Sequence, residues 1–291
     1  MYVIMGGTGH VGSATATALL DAGQPVTIIS RDPSSASEWV AKGAEVVEAD
    51  VEDVSSLRSA FQRGRRAFLL NPPADTKEDT DAIERQSVAN ILAALEGSRL
   101  EKVVAESTLG AQRGERIGDL SVLWELEQGL VAQSIPAAVN RAAYYMSNWD
   151  AALETVRRTG TLPSMFPADL DMPMVAPADL GRAAAERLMS PLNDIGIRDV
   201  EGPRRYSAQD VADTFAEVLG REVHLAVTPY GQWKEAFLAL GFSDPAADAY
   251  ARMTQVTIEG GFAAPENPWR GRTSIGDYLR ELTKAEGKQN G

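Results

Sequence analysis

The stretch "YVIMGGTGHVGSATATALLDAGQPVTIISRDP", residues 2–33, decides how this chain is read. An apolar run (2–5) meets three glycines spaced three apart, Gly6, Gly9 and Gly12. Small and apolar residues at helical spacing follow, with Ala16, Leu19 and Leu20 on one stripe and Gly23 as a stop. "PVTIIS" (25–30) is a second strand. A strand that turns at once into a helix leaves the first N–H groups of the helix unpaired at the positive end of its dipole, which is a site for an anion. In such a turn Gly6 makes the bend, Gly9 lets a pyrophosphate approach the backbone, and Gly12 lets helix and strand pack closely. Thr8 adds a hydroxyl, and His10 and Val11 offer backbone N–H groups. The spacing is G-x-x-G-x-x-G rather than G-x-G-x-x-G, so the strand–turn–helix–strand context carries the reading.

Arg31 ends the second strand, where an NAD-selective site places an acid for the ribose 2′-hydroxyl. A guanidinium there suits a 2′-phosphate instead. The expected cofactor is NADP(H), preferred over NAD(H), with Asp32 left to cap the next helix.

Strands and helices alternate onward. "AEVVEAD" (44–50), "RAFLLN" (66–71), "KVVAES" (102–107) and "PAAVNR" (136–141) read as strands. Stretches 35–43, 54–62, 78–97 and 119–133 read as helices. This alternation predicts an α/β fold, a Rossmann-type doubly wound parallel sheet. Such sheets bind ligands beyond the carboxyl ends of their strands. Asp50 and Val51, placed after the third strand, are candidates to read an adenine edge. Asn71 and Pro72 follow the fourth strand, where Pro72 and Pro73 stiffen a loop under the cofactor ribose. After residue 150 four prolines break 160–177 into short extended pieces, and helical stretches follow at 178–190, 207–219, 231–240, 244–258 and 274–284. The reading therefore divides the chain into a dinucleotide-binding domain, 1–150, and a smaller, mostly helical C-terminal lobe, 151–291, partly interwoven with it and covering the functional edge.

Composition narrows the chemistry. The chain has 291 residues, a net charge of -13, two histidines and no cysteine. Thiolate catalysis, disulfides and cysteine- or histidine-rich metal sites are excluded, and no metal is expected. The acidic balance argues against direct nucleic-acid binding. With neither an export leader nor a membrane-length apolar run in view, the expectation is a cytoplasmic protein with no membrane partner.

The chain resembles the NmrA-like family of atypical short-chain dehydrogenases/reductases, and is similar to its NADPH-dependent quinone reductase branch. The resemblance rests on "MGGTGHVG" (5–12), "SRDP" (30–33), "EADVED" (48–53), "ESTLGA" (106–111), "NRAAYYMSNW" (140–149), "VAPADLGRAAAERL" (175–188) and "GPRRYSAQDVADTFAEVLGREV" (202–223). It implies a Rossmann-type NADP(H) site and a variable pocket between the lobes. Family members include reductases and also silent dinucleotide sensors that regulate protein partners. The usual Tyr-x-x-x-Lys pair is missing from 119–133. Glu127 matches a glutamate many members keep, but Leu123 stands in the place of their lysine, and Arg141 is followed by Ala142 rather than proline. Without such a pair, Ser107, at the end of the fifth strand, is read as a cofactor contact. Tyr144 and Tyr145 are the candidate catalytic residues, able to stack on a flat acceptor or donate a proton. Trp124 and Trp149 complete the expected pocket. The functional expectation is an NADPH-dependent oxidoreductase acting on a small quinone-like acceptor. The alternatives are a redox sensor with a protein partner and, last, a nucleotide-sugar epimerase.

Overall fold

The computed structural model describes residues 1–260 and 265–289. The first part runs β1 (Tyr2–Ile4), α1 (His10–Asp21), β2 (Val26–Ser30), α2 (Ser37–Ala41), β3 (Glu45–Glu48), α3 (Val54–Phe61), β4 (Arg66–Leu69), α4 (Thr80–Leu95), β5 (Lys102–Thr108), α5 (Asp119–Ala132) and β6 (Ala137–Ala142). The second runs β7 (Tyr144–Tyr145), α6 (Leu153–Thr159), β8 (Thr161–Ser164), β9 (Met172–Val175), α7 (Pro177–Met189), β10 (Gly196–Glu201), β11 (Arg205–Tyr206), α8 (Ala208–Leu219), β12 (His224–Val227), α9 (Trp233–Ala239), α10 (Asp244–Gly260), β13 (Trp269–Arg270) and α11 (Ile275–Gln289).

Eight strands form one sheet in the order β13-β10-β6-β5-β4-β1-β2-β3. Its pairings are parallel throughout. The order reverses between β1 and β4, so the crevice beyond their carboxyl ends is the switch point of a doubly wound sheet. The central strands are apolar on both faces because both faces are covered. On one face Ile4, Ile28, Phe68 and Val104 pack under α1 and α7; on the other Val3, Ala67, Val103 and Val139 pack under α3, α4 and α5.

The sheet does not end at residue 150. β10 pairs with β6, and β13 pairs with β10. α7 returns to lie on α1, where a Cβ at Gly181 would strike the backbone of Ala14 and Thr15. The stretch 35–43, read as one helix, is a 3₁₀ turn (Pro33–Ala36) followed by the short α2, because Asp32 caps a turn that Pro33 opens. The remaining C-terminal elements build a separate core around Met146, Trp149, Phe166, Tyr206 and Phe215, with two small sheets, β11-β9-β7 and β12-β8. α10 reaches back to the sheet near β5 and β6: its Val256, Thr257 and Gly260 share a cavity of about 320 Å³ with Leu109 and Gly110 after β5, Leu120 on α5, Arg141 and Asp199.

Among the described residues no helix is long and apolar enough to cross a membrane.

Candidate functional site: a dinucleotide cleft

The turn after β1 is built as its glycines require. Gly6 takes φ +63, a left-handed conformation that L side chains resist, and Leu70 fills the space its Cβ would need. Gly9 donates to the Gly6 carbonyl at 2.9 Å and starts α1 with no side-chain cap. A Cβ at Gly12 would strike the Gly6 carbonyl and come within 2.8 Å of Met5 O. The first intrahelical bond is Ser13 N–H to Gly9 O, 2.9 Å. The N–H groups of His10, Val11 and Gly12 are thus left at the uncapped helix end. Thr8, Gly9 and His10 are exposed there.

At the end of β2 the two polar neighbours separate. Asp32 is consumed locally: its Oδ1 accepts from Ser34 N–H at 2.9 Å and Ser34 Oγ at 2.6 Å, and these bonds hold its carboxyl below the usual range. Arg31 stays exposed beside it. After β3, Asp50 Oδ1 accepts from Glu52 N–H at 3.0 Å, and Val51 O accepts from Asn90 Nδ2 at 3.0 Å, so both residues sit in a braced turn.

The loop after β4 is braced by Glu84 of α4. Asn71 Nδ2 donates to Glu84 O at 3.2 Å, and Ala74 N–H donates to Glu84 Oε1 at 3.0 Å. Pro72 is half-buried between them, and Asn71 Oδ1 is buried with no hydrogen-bond partner among the described residues. Burial, then the charge of Asp119, pushes the Glu84 carboxyl up to about 7.

Ser107 is 1% exposed, and its hydroxyl donates to Glu127 Oε1 at 2.6 Å. Glu127 also accepts from Arg141 Nε at 2.9 Å and Nη2 at 2.6 Å. The Ser107 hydroxyl therefore joins the buried Glu127–Arg141 ion pair. Leu123, in place of the lysine, packs into the core below.

The two tyrosines of β7 point to opposite faces, as neighbours in a strand must. Tyr144 turns into the C-terminal core, edge-on to Phe166 at 5.2 Å and Trp149 at 5.9 Å. Burial pushes its phenol up to about 12, against a hydrogen bond with Asn148. Tyr145 turns towards the sheet and is half-buried. Burial, then the carboxyls of Glu106 and Asp119, holds its phenol well above the usual value. Trp149 is buried with Tyr144, whereas Trp124, half-buried on α5, makes no ring contact with either among the described residues. Tyr145 thus lies on the sheet side of β7, and Tyr144 and Trp149 pack in the C-terminal core.

Glu106 is the residue that sequence reasoning passed over. It is 2% exposed, with Asn140 as a polar neighbour, and neither carboxyl oxygen has a hydrogen bond of good geometry among the described residues. Its signal was available: an acid directly after the apolar run "VVA" (103–105) of a central strand. No group of three or more His, Asp or Glu among the described residues is arranged to hold a metal ion.

An uncapped helix end over a glycine cradle, at the switch point of a doubly wound parallel sheet, defines the dinucleotide-binding Rossmann class. The NmrA-like family profile matches residues 2–267, and the chain belongs to the NmrA-like family. It is 22% identical over 249 residues to an NAD(P)H azoreductase of Xenophilus azovorans, covering 86% of this chain and 84% of that protein. The NADPH-dependent quinone oxidoreductase of Escherichia coli in complex with NADPH superposes with a TM-score of 0.79 at 20% identity, over 97% of this chain and 100% of that one. The triphenylmethane reductase of Citrobacter sp. complexed with NADP(H) does so with a TM-score of 0.79 at 19% identity, over 97% and 99%.

Proposed function

We propose that this protein is an NADPH-dependent oxidoreductase that reduces a small, flat, quinone-like acceptor. The observation that carries it is the uncapped α1 end over Gly6, Gly9 and Gly12, with exposed Arg31 at the end of β2. The residues present fit the cofactor: N–H groups of His10, Val11 and Gly12 for the pyrophosphate, Arg31 for the 2′-phosphate, and the Asp50–Val51 and Asn71–Pro72 turns flanking adenine and ribose. Bound reduced nicotinamide supplies the hydride. The chain's part is to hold the acceptor, exclude water and manage the proton. The named activities of the relatives, an azoreductase and a quinone oxidoreductase, support this class.

The test is a fluorescence titration with NADPH and, separately, NADH, followed by a panel of quinones and dyes. Tight NADPH binding with acceptor-dependent loss of signal supports the reading. Tight binding with a stable signal across the panel overturns it in favour of a redox sensor.

A further inference from the structure

The sheet register sets three polar residues in one row. Ser107 of β5 pairs with Arg141 of β6, and Arg141 pairs with Asp199 of β10, so all three stand on the face that α5 covers. Glu127 of α5 takes the first two: it accepts from Ser107 Oγ and from Arg141 Nε and Nη2. Neighbouring strands lie only about 4.8 Å apart, yet the Asp199 carboxylate makes neither a hydrogen bond nor an ion pair among the described residues, because the Arg141 guanidinium is committed to Glu127. The row ends on the cavity of about 320 Å³, which Arg141 and Asp199 line from the sheet. Leu109, Leu120 and Val256 give it apolar walls. Its other polar side chains are spent locally: Gln112 Nε2 donates to Gly110 O at 3.1 Å, and Thr257 Oγ1 donates to Met253 O at 2.8 Å. Burial raises the Asp199 carboxyl above its ordinary value, Arg141 pulls it back, and Glu127 raises it again. A half-buried carboxylate among apolar walls is costly unless a ligand brings the missing donor. None of the residues assigned above to the dinucleotide lines this cavity.

We propose that this cavity is a binding site for a small planar cation, an amidinium or protonated amine on a single ring, whose N–H groups pair with the Asp199 carboxylate while the ring lies among Leu109, Leu120 and Val256. The volume stands at the small end of ligand pockets, which span about 300–1,000 Å³, so one ring with one polar head fits. Charge sets the preference. Glu127 and Asp199 bring two carboxylates against the one guanidinium of Arg141, and the bidentate pair with Glu127 already neutralises that guanidinium. What is left facing the cavity is the negative charge of Asp199, which draws a cation and repels an anion. The site requires neither bound dinucleotide nor turnover, so it stands or falls apart from the oxidoreductase reading.

The experiment titrates the full chain with benzamidine, benzamide and benzoate, one shape in three charge states, in the wild type, Asp199→Asn and Val256→Trp, followed by calorimetry or ligand-observed NMR. Benzamidine is expected to bind with a dissociation constant on the order of 1 mM, as suits a fragment. Benzamide and benzoate bind about 10- to 100-fold more weakly, the worth of a charge-assisted hydrogen bond to a carboxylate. Asp199→Asn keeps the size of the side chain and removes its charge. Benzamidine then falls to the level of benzamide while the melting temperature holds, because the carboxylate satisfies nothing in the fold. Val256→Trp fills the cavity and abolishes the binding. The net charge of -13 attracts any cation to the surface, and such adventitious binding persists in both variants. No binding of benzamidine, benzoate bound as tightly as benzamidine, or a benzamidine preference that survives Asp199→Asn overturns the proposal. So does a fall in the melting temperature of Asp199→Asn, which makes the carboxylate a support of the fold.

Discussion

Arg141 grips Glu127 with two hydrogen bonds, 2.9 Å from Nε and 2.6 Å from Nη2. The carboxylate is 3% exposed on its side chain, and Ser107 adds a third bond. Removing one partner of a buried ion pair leaves the other uncompensated. Arg141→Met is therefore expected to cost about 3–5 kcal/mol in urea unfolding, whereas Ser107→Ala costs roughly 1 kcal/mol. Equal effects of the two would refute the hierarchy.

Arg31 should act on one cofactor only. A charge-assisted contact to a phosphate contributes roughly 1.5–3 kcal/mol, or about 10- to 100-fold in affinity. Arg31→Ala is expected to weaken NADPH by that factor and leave NADH unchanged, read by fluorescence titration of both.

Gly12 has no room for a methyl group, since a Cβ meets the backbone of Gly6 and Met5 rather than a flexible side chain. Gly12→Ala must open the turn. The expected outcome is a loss of about 1–3 kcal/mol of stability, together with loss of dinucleotide-dependent thermal stabilisation. Gly23→Ala, at an exposed positive-φ position with open space around it, loses stability but keeps that stabilisation.

Glu84 gives the pH dependence a sign. Its folded carboxyl is raised to about 7 from 4.5, so the native state binds more protons than the unfolded chain between those values. The stability contributed by this group is then full at acid pH and falls as pH rises from about 4.5 to about 7, on the order of 3 kcal/mol in all. Glu84→Gln keeps the acceptor for Ala74 N–H but cannot ionise. Its melting temperature is expected to match the wild type at pH 5 and exceed it at pH 8.

The central strands were legible because burial on both faces writes near-continuous apolar runs: Val26, Ile28 and Ile29 in β2, and Val103, Val104 and Ala105 in β5. β10 was legible only in its last half, where "DVEGP" (199–203) suggests a short strand, and β13 was not. "GIRDVE" begins exposed and carries charges at Arg198 and Asp199, and Trp269–Arg270 is two residues long. Nothing local distinguishes such pieces from turns; only the partner strand does. The glycine turn and Arg31 were legible because their geometry is set by neighbours in sequence. Tyr144 against Tyr145, and Ser107 against Glu106, were not. Each pair straddles a strand, and adjacent residues belong to opposite environments that depend on what each face packs against.

β13 sets a clock on biosynthesis. Glu201, 1% exposed, has its cation in Arg270 at 2.8 Å, and the buried Asp179 accepts from Thr273 N–H at 2.9 Å. While the chain emerges from the ribosome, β1 to β6 can pair as they appear; Asp179 and Glu201 have local cations in Arg182 and Arg205, but gain Thr273 N–H and Arg270 only from segments up to 94 residues downstream. The far edge of the sheet is therefore sealed last, and a nascent chain paused before residue 269 carries a formed cofactor turn on an unfinished edge.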